Sequence, residues 1–253
     1  MSDVVIERAA GVAIVRLNRP EVLNALSPAM LKRLCDSFTE LDGDTETRVI
    51  ILTGTGQRAF SAGLDLKILG TDPDALQLVE QNDPAAAMSA CRKPIIGALN
   101  GLVVTGGFEI ALNCDILIAS TAVRFADTHV RVGLLPGWGL SQRLSRLVGP
   151  YRARQISLTG SFVEAQTALD WGLVCELVAP DRLMGRAVEI AAEIARVDPE
   201  LMSEYKALIN RGFEDNLQSA LAMERKAAWA HNLGVSSPEL EQSRRGLMRG
   251  ATS

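Results

Sequence analysis

Histidine is scarce in this chain, with only His129 and His231 among 253 residues. That scarcity argues against a histidine-rich metal site. The four cysteines (Cys35, Cys91, Cys114, Cys175) are widely spaced and include no CxxC pair. Three lie in apolar surroundings, so they read as buried thiols of a cytosolic protein rather than a disulfide framework or zinc site. No apolar run approaches the ~20 residues a membrane span requires, so no membrane partner is expected. Basic residues are scattered until the C-terminus and the net charge is −4, which leaves no nucleic-acid footprint. The opening MSDVVIERAAG is acidic and strand-like, unlike a signal peptide, and points to a cytoplasmic location. A nucleophile elbow is missing too. Ser141 lies in GLSQR, without the second glycine of G-x-S-x-G, and no cysteine has a histidine nearby in sequence.

What remains is enough for a large core, since 47% of the chain is apolar. Val4–Glu7 and Val12–Leu17 are β-branched runs around Ala10-Gly11 and read as a hairpin. Ser27-Pro28 fits an N-cap with proline at the first helical position, and Met30, Leu31, Leu34, Phe38 and Leu41 follow at helical spacing. Buried strands are expected at 48–54, 94–99, 115–119 and 123–126. They alternate with helices, which favours crossovers and a mainly parallel sheet. The polar stretch 72–84, broken by Pro73 and Pro84, reads as a mobile segment flanking a site. After Pro136 the pattern is almost entirely helical, interrupted by a short strand at 175–178. The organisation is an α/β core over residues 1–190 and a helical region over 191–253, with a charged helix in the tail from Glu239 to Arg249.

Four stretches carry candidate chemistry. Gly54-Thr55-Gly56-Gln57-Arg58-Ala59 follows a strand and matches G-x-G-x-x-A, but Phe60-Ser61-Ala62-Gly63 makes a poor helix start for a dinucleotide site. In Ala62-Gly63-Leu64-Asp65, Gly63 permits a sharp turn and Asp65 suits a helix N-terminus, leaving the Leu64 N–H to face a site; an ordinary loop-to-helix cap reads the same way. Asn100 to Asp115 runs from a turn at Asn100-Gly101 through Thr105-Gly106-Gly107 into a short apolar helix. Glu109 sits in its first turn, where free N–H groups favour a carboxylate. This stretch offers an oxyanion donor and an acid/base group within one helical turn, or simply a stabilised helix start. Finally, Phe125-Ala126-Asp127-Thr128-His129 ends a strand and enters a loop before the Gly/Pro stretch at 133–139. His129 can exchange a proton near neutral pH, and Asp127 either orients it or is solvated.

Taken together, Asn24-Ala25-Leu26, the segment Ala59 to Leu66, Asn100-Gly101 through Glu109, Cys114-Asp115, and Gly133 to Gly137 with Gln142-Arg143-Leu144 resemble the crotonase superfamily, also called the enoyl-CoA hydratase/isomerase family. The likeness spans nearly the whole chain. It implies an α/β fold, a crotonase-like spiral of ββα units with a C-terminal helical trimerisation region, assembled as a homotrimer or homohexamer. It implies an acyl-CoA thioester substrate and no separate cofactor, CoA being part of the substrate. By position, the Leu64 and Gly106 N–H groups form the oxyanion hole. Ala25, Ala62, Asp65 and Leu66 match the CoA channel, and Pro136 and Gly137 join the candidate substrate contacts.

Family hydratases hold one water between two glutamates. Glu109 matches the first, and His129 stands where the second is expected. The implied reaction is syn addition of water to a 2-enoyl-CoA, or its reverse. A Glu–His pair also suits isomerisation, hydrolysis or dehydration of an acyl-CoA, and loss of the second carboxylate keeps a non-catalytic acyl-CoA-binding homologue open. In the tail, Gly246 and Arg249 align with the aromatic and lysine that reach a neighbouring subunit's CoA in hydratases.

Overall fold

The computed structural model describes residues 2–238 together with 240, 241, 244 and 245. Gly246, Arg249 and most of the proposed tail helix lie outside the described residues. Two compact units are resolved, Met1–Met202 and Ser203–Ser253.

The first unit is built on two sheets. The larger has six strands: β1 (Val4–Ala9), β2 (Val12–Leu17), β3 (Val49–Gly54), β5 (Ile95–Leu99), β7 (Ile116–Ser120) and β10 (Glu176–Val178), side by side in that order. The hairpin β1–β2 is antiparallel and every later pairing is parallel. The smaller sheet orders β4 (Ala59–Ser61), β6 (Leu102–Val104), β8 (Arg124–Ala126) and β9 (Val163–Glu164). Three times in succession a long strand of the first sheet is followed by a short strand of the second and then by helix. After β3–β4 come α2 (Leu66–Thr71), α3 (Ala75–Glu80) and α4 (Pro84–Ala90). After β5–β6 comes α5 (Gly106–Leu112), and after β7–β8 comes α6 (His129–Val132). This is the spiral of ββα units.

Side-chain alternation shows why the large sheet is buried on both faces. Val49, Ile51, Ile96, Ala98 and Ile118 form one cluster with Leu183, Ala187 and Ala191 of α10 (Leu183–Ile194). Their neighbours Ile50, Leu52, Ile95, Leu99, Leu117 and Ala119 point into the main core, shared with α1 (Pro28–Gly43), where Met30, Leu31, Leu34, Phe38 and Leu41 are fully enclosed. Successive strand residues face opposite sides, so a strand covered twice must be apolar at every position. Ser27 caps α1 as its spacing indicates, accepting from the Met30 N–H at 3.1 Å.

Several local readings change. The two prolines of 72–84 do not break the chain as expected: α3 forms between them, with Ala75 and Val79 buried. His129 opens the one-turn helix α6 instead of lying in a loop. Of the cysteines, only Cys91 is buried; Cys35 and Cys114 are half-buried and Cys175 is exposed. The Gly54–Ala59 loop leads into β4, not a helix. Its carbonyls accept from two side-chain amides: Asn24 donates to Thr55 and Ala59, and Asn100 to Gly56 and Ala59.

The remaining helices are α7 (Leu140–Val148), α8 (Pro150–Thr159) and α9 (Ala165–Asp170), then α11 (Pro199–Glu214) and α12 (Leu217–Asn232). Neither α11 nor α12 buries a residue. Among the described residues no helix is long and apolar enough to cross a membrane.

Candidate active site

Two turns between the sheets bring the predicted oxyanion donors together. Gly63 adopts φ +86°, and a side chain there would sit 3.0 Å from the Val104 carbonyl and 3.2 Å from the Gly106 N. Only glycine combines that φ with that proximity. Thr105 adopts φ +52° and ψ −114°, a marked outlier for a β-branched residue and a conformation that costs of order 1–3 kcal/mol. Two bonds hold it there. Its N–H donates to the Ala126 carbonyl at 3.0 Å, and its hydroxyl pairs with that of Thr128 at 2.6 Å. The sharp turn at Thr105 ends β6 and starts α5. Among the described residues, neither the Leu64 nor the Gly106 N–H donates to a protein acceptor. Both residues line one cavity of about 470 Å³.

Glu109 and His129 line the same cavity. Phe108 and Phe125 hold the elements that carry them: the two rings are fully buried, 5.1 Å apart and tilted at 47°. Such a pair contributes about 0.5–1.5 kcal/mol beyond its buried area, and it fixes α5 against β8. Glu109 is 2% exposed and His129 5% exposed. The Glu109 Oε2 lies 3.6 Å from the His129 Nε2. Its other oxygen, Oε1, accepts from the Trp138 N–H at 2.7 Å and the Leu140 N–H at 3.3 Å. The amides that hold this carboxylate therefore belong to the loop before α7 and to the first residue of α7, not to its own helix. Asn113 ties down the same loop, donating to the Trp138 carbonyl at 3.1 Å.

On the far side of the imidazole, the Asp127 Oδ1 lies 2.7 Å from Nδ1 and accepts from the His129 backbone N–H at 3.2 Å. Asp127 is 2% exposed, so the solvated alternative does not hold. Burial works against charge on His129. Hydrogen bonds to Asp127 and Glu109, and the charges of both, outweigh it and raise the imidazole to about 9. Burial also opposes the Asp127 charge, but bonds from His129 and Ser157 hold that carboxyl below its ordinary range. The imidazole thus lies between two carboxyl groups, which favour its protonated form.

The cavity's outer wall comes from α3 (Leu76, Gln77, Val79, Glu80) and from Leu134, Leu135, Gly137 and Trp138. Of the other sequence-predicted contacts, Ala25, Ala62, Asp65, Leu66 and Pro136 are not among the lining residues. Asp65 caps α2, accepting from Ile68 N, and pairs with the Arg19 guanidinium at 2.9 Å, so its side chain organises the turn beside Leu64. Leu66 is exposed. The α3 residues and Trp138 had no individual signal in the sequence. Trp138 stands in the Gly/Pro loop noted there, and α3 in the stretch expected to flank a site.

The sequence matches a family model described as enoyl-CoA hydratase/isomerase over residues 7–233. It is 38% identical over 236 residues to the probable enoyl-CoA hydratase 1, peroxisomal, of Arabidopsis thaliana, covering 93% of this chain and 89% of the relative. It is 39% identical over 230 residues to the short-chain-enoyl-CoA hydratase of Clostridium acetobutylicum, covering 90% and 88%. The crystal structure of an enoyl-CoA hydratase from Bacillus anthracis superposes with a TM-score of 0.88 at 32% identity, covering 96% of each chain.

Proposed function

Because the chain belongs to the enoyl-CoA hydratase/isomerase family, the crotonase superfamily, we infer that its reaction is the addition of water to a 2-enoyl-CoA thioester, or the reverse. It is an enzyme of the hydro-lyase class acting on an acyl-CoA. The observation that carries the residue assignment is the Glu109–His129 pair, 3.6 Å apart on the wall of the cavity that Leu64 and Gly106 also line.

In this reading Glu109, as carboxylate, takes a proton from water while the water oxygen bonds to the β-carbon. The π electrons move to the thioester oxygen, giving an enolate that accepts from the Leu64 and Gly106 N–H groups. One such donor is worth about 3–4 kcal/mol to the transition state. The enolate re-forms the carbonyl as its α-carbon takes the Nε2 proton of His129. Glu109 then returns its proton to the imidazole, directly or through the next water, and the cycle closes. Both groups stand on one wall, which gives syn addition. A carboxylate base and an imidazolium acid are the complementary protonation states that hydration needs. No group beyond the substrate's own CoA enters these steps. The test is loss of the enoyl thioester ultraviolet chromophore with crotonyl-CoA. Catalytic loss supports the reading, and an inert protein overturns it.

Assembly as a trimer or hexamer is part of the same proposal. Tyr205, Ile209 and Phe213 follow at four-residue spacing on α11, and Leu217, Leu221 and Trp229 lie on α12, each more than half exposed. Apolar rows of this extent are covered in soluble proteins, and further copies of the chain are the proposed cover. Light scattering at micromolar concentration is expected to give a trimer or hexamer mass; a monomer mass would remove the assembly.

A further inference from the structure

The geometry points to Asp127 as the positioning residue that makes His129 an acid: it accepts from Nδ1–H and thereby fixes Nε2–H toward Glu109 and the cavity. This rests on the hydratase reading for its place in the cycle, but not for its structure. Asp127 Oδ1 is 2.7 Å from Nδ1, and the same oxygen takes the His129 backbone N–H, so the carboxylate holds the residue at two points. Both side chains are buried. Which ring nitrogen serves the site is set by the bond the other nitrogen makes. With Nδ1 held by a pure acceptor, Nε2 is the nitrogen on the Glu109 side.

The surroundings support the assignment. Thr128, between the two residues, is tied through its hydroxyl to that of Thr105, immediately before the oxyanion donor Gly106. The acid and the oxyanion hole are therefore set by one connected segment. The charged groups in contact with the imidazole are Asp127 itself and Glu109 from α5; Glu80 of α3 lines the outer wall of the same cavity. Arg131, on the same short helix, is drawn away and donates to the Thr159 carbonyl at 2.8 Å. No cation competes with the imidazole for Asp127 among the partners described, and its raised affinity for a proton agrees with that setting.

The experiment is a histidine ring titration by NMR on the full chain. There are only two histidine signals, and His129→Gln identifies which is His129. The unaltered protein is expected to keep the His129 proton to about pH 9. A midpoint at or below the ordinary 6.5 would overturn the proposal without any variant being made. Asp127→Asn keeps the side chain's shape but can present an amide donor to Nδ1. It is expected to lower the midpoint by more than about one unit and to reduce kcat about 10²-fold, with KM changed less than about twofold. In the His129→Gln background, Asp127→Asn is expected to cost almost nothing more, because the two act as a unit. An unmoved midpoint, or losses that multiply in the double variant, would overturn it. The titration uses no substrate. Absent crotonyl-CoA hydration with the expected titration would therefore remove the hydratase reading and leave the Asp127–His129 relation, whereas normal hydration with an unmoved midpoint would remove only the latter.

Discussion

The cavity's inner and outer walls are made differently. The inner wall, with Leu64, Gly106, Glu109 and His129, is fixed by bonds from three directions: the Trp138 and Leu140 N–H groups on Glu109, Asp127 on His129, and Thr128 on Thr105. On the outer wall, Leu76 is half exposed, Leu135 is 89% exposed, and the side chains of Gln77 and Glu80 reach solvent. Groups that stabilise developing charge must be set in place before it develops, whereas groups that receive an acyl chain need only offer apolar surface. On the proposed reading, chemistry belongs to the inner wall and substrate selection to the outer wall.

The largest expected effect is at Glu109. Glu109→Gln should lower crotonyl-CoA turnover by roughly 10²–10⁴-fold, the range for a lost acid/base group, while CoA binding persists by calorimetry. Near-normal turnover would move the chemistry off the inner wall. Next is His129→Glu, which supplies the two-glutamate arrangement that the family resemblance implies and should preserve or increase hydration of a simple enoyl-CoA. If hydration is lost instead, the chemistry requires the imidazole. The smallest effects belong to the outer wall. Leu76→Ala and Leu135→Ala remove contacts of about 1 kcal/mol each, so KM for a longer enoyl-CoA should rise about fivefold with kcat little changed. A kcat effect as large as that of Glu109→Gln would erase the distinction between the walls.

The same contrast governs how much could be read from the sequence. Strands β3, β5 and β7 are five or six residues long and mostly apolar, so they stand out. Strands β4 and β6 have three residues each, too few to show a period; β8 was legible at 123–126, but not its pairing with them in a second sheet. Glu109 was legible from its place behind Thr105-Gly106-Gly107, but its amide partners lie 29 and 31 residues on, a pairing no local pattern encodes. At His129 the sequence left two roles open for Asp127, orienting the imidazole or standing in solvent. The 2.7 Å contact that decides between them is a matter of geometry. Helix α3 was hidden because Pro73 and Pro84 read as breaks when they are boundaries.

The most direct measurement is the pH dependence of kcat/KM for crotonyl-CoA hydration in the unaltered enzyme and in His129→Gln. A His129 proton held to about 9 in the free enzyme is available to the α-carbon below that pH and lost above it. In the unaltered enzyme kcat/KM should therefore hold through neutral pH, fall on a basic limb near 9, and lose that limb in His129→Gln. An unaltered enzyme with no basic limb, or a His129→Gln enzyme with the same limb and the same turnover, would contradict the assignment of His129 as the acid.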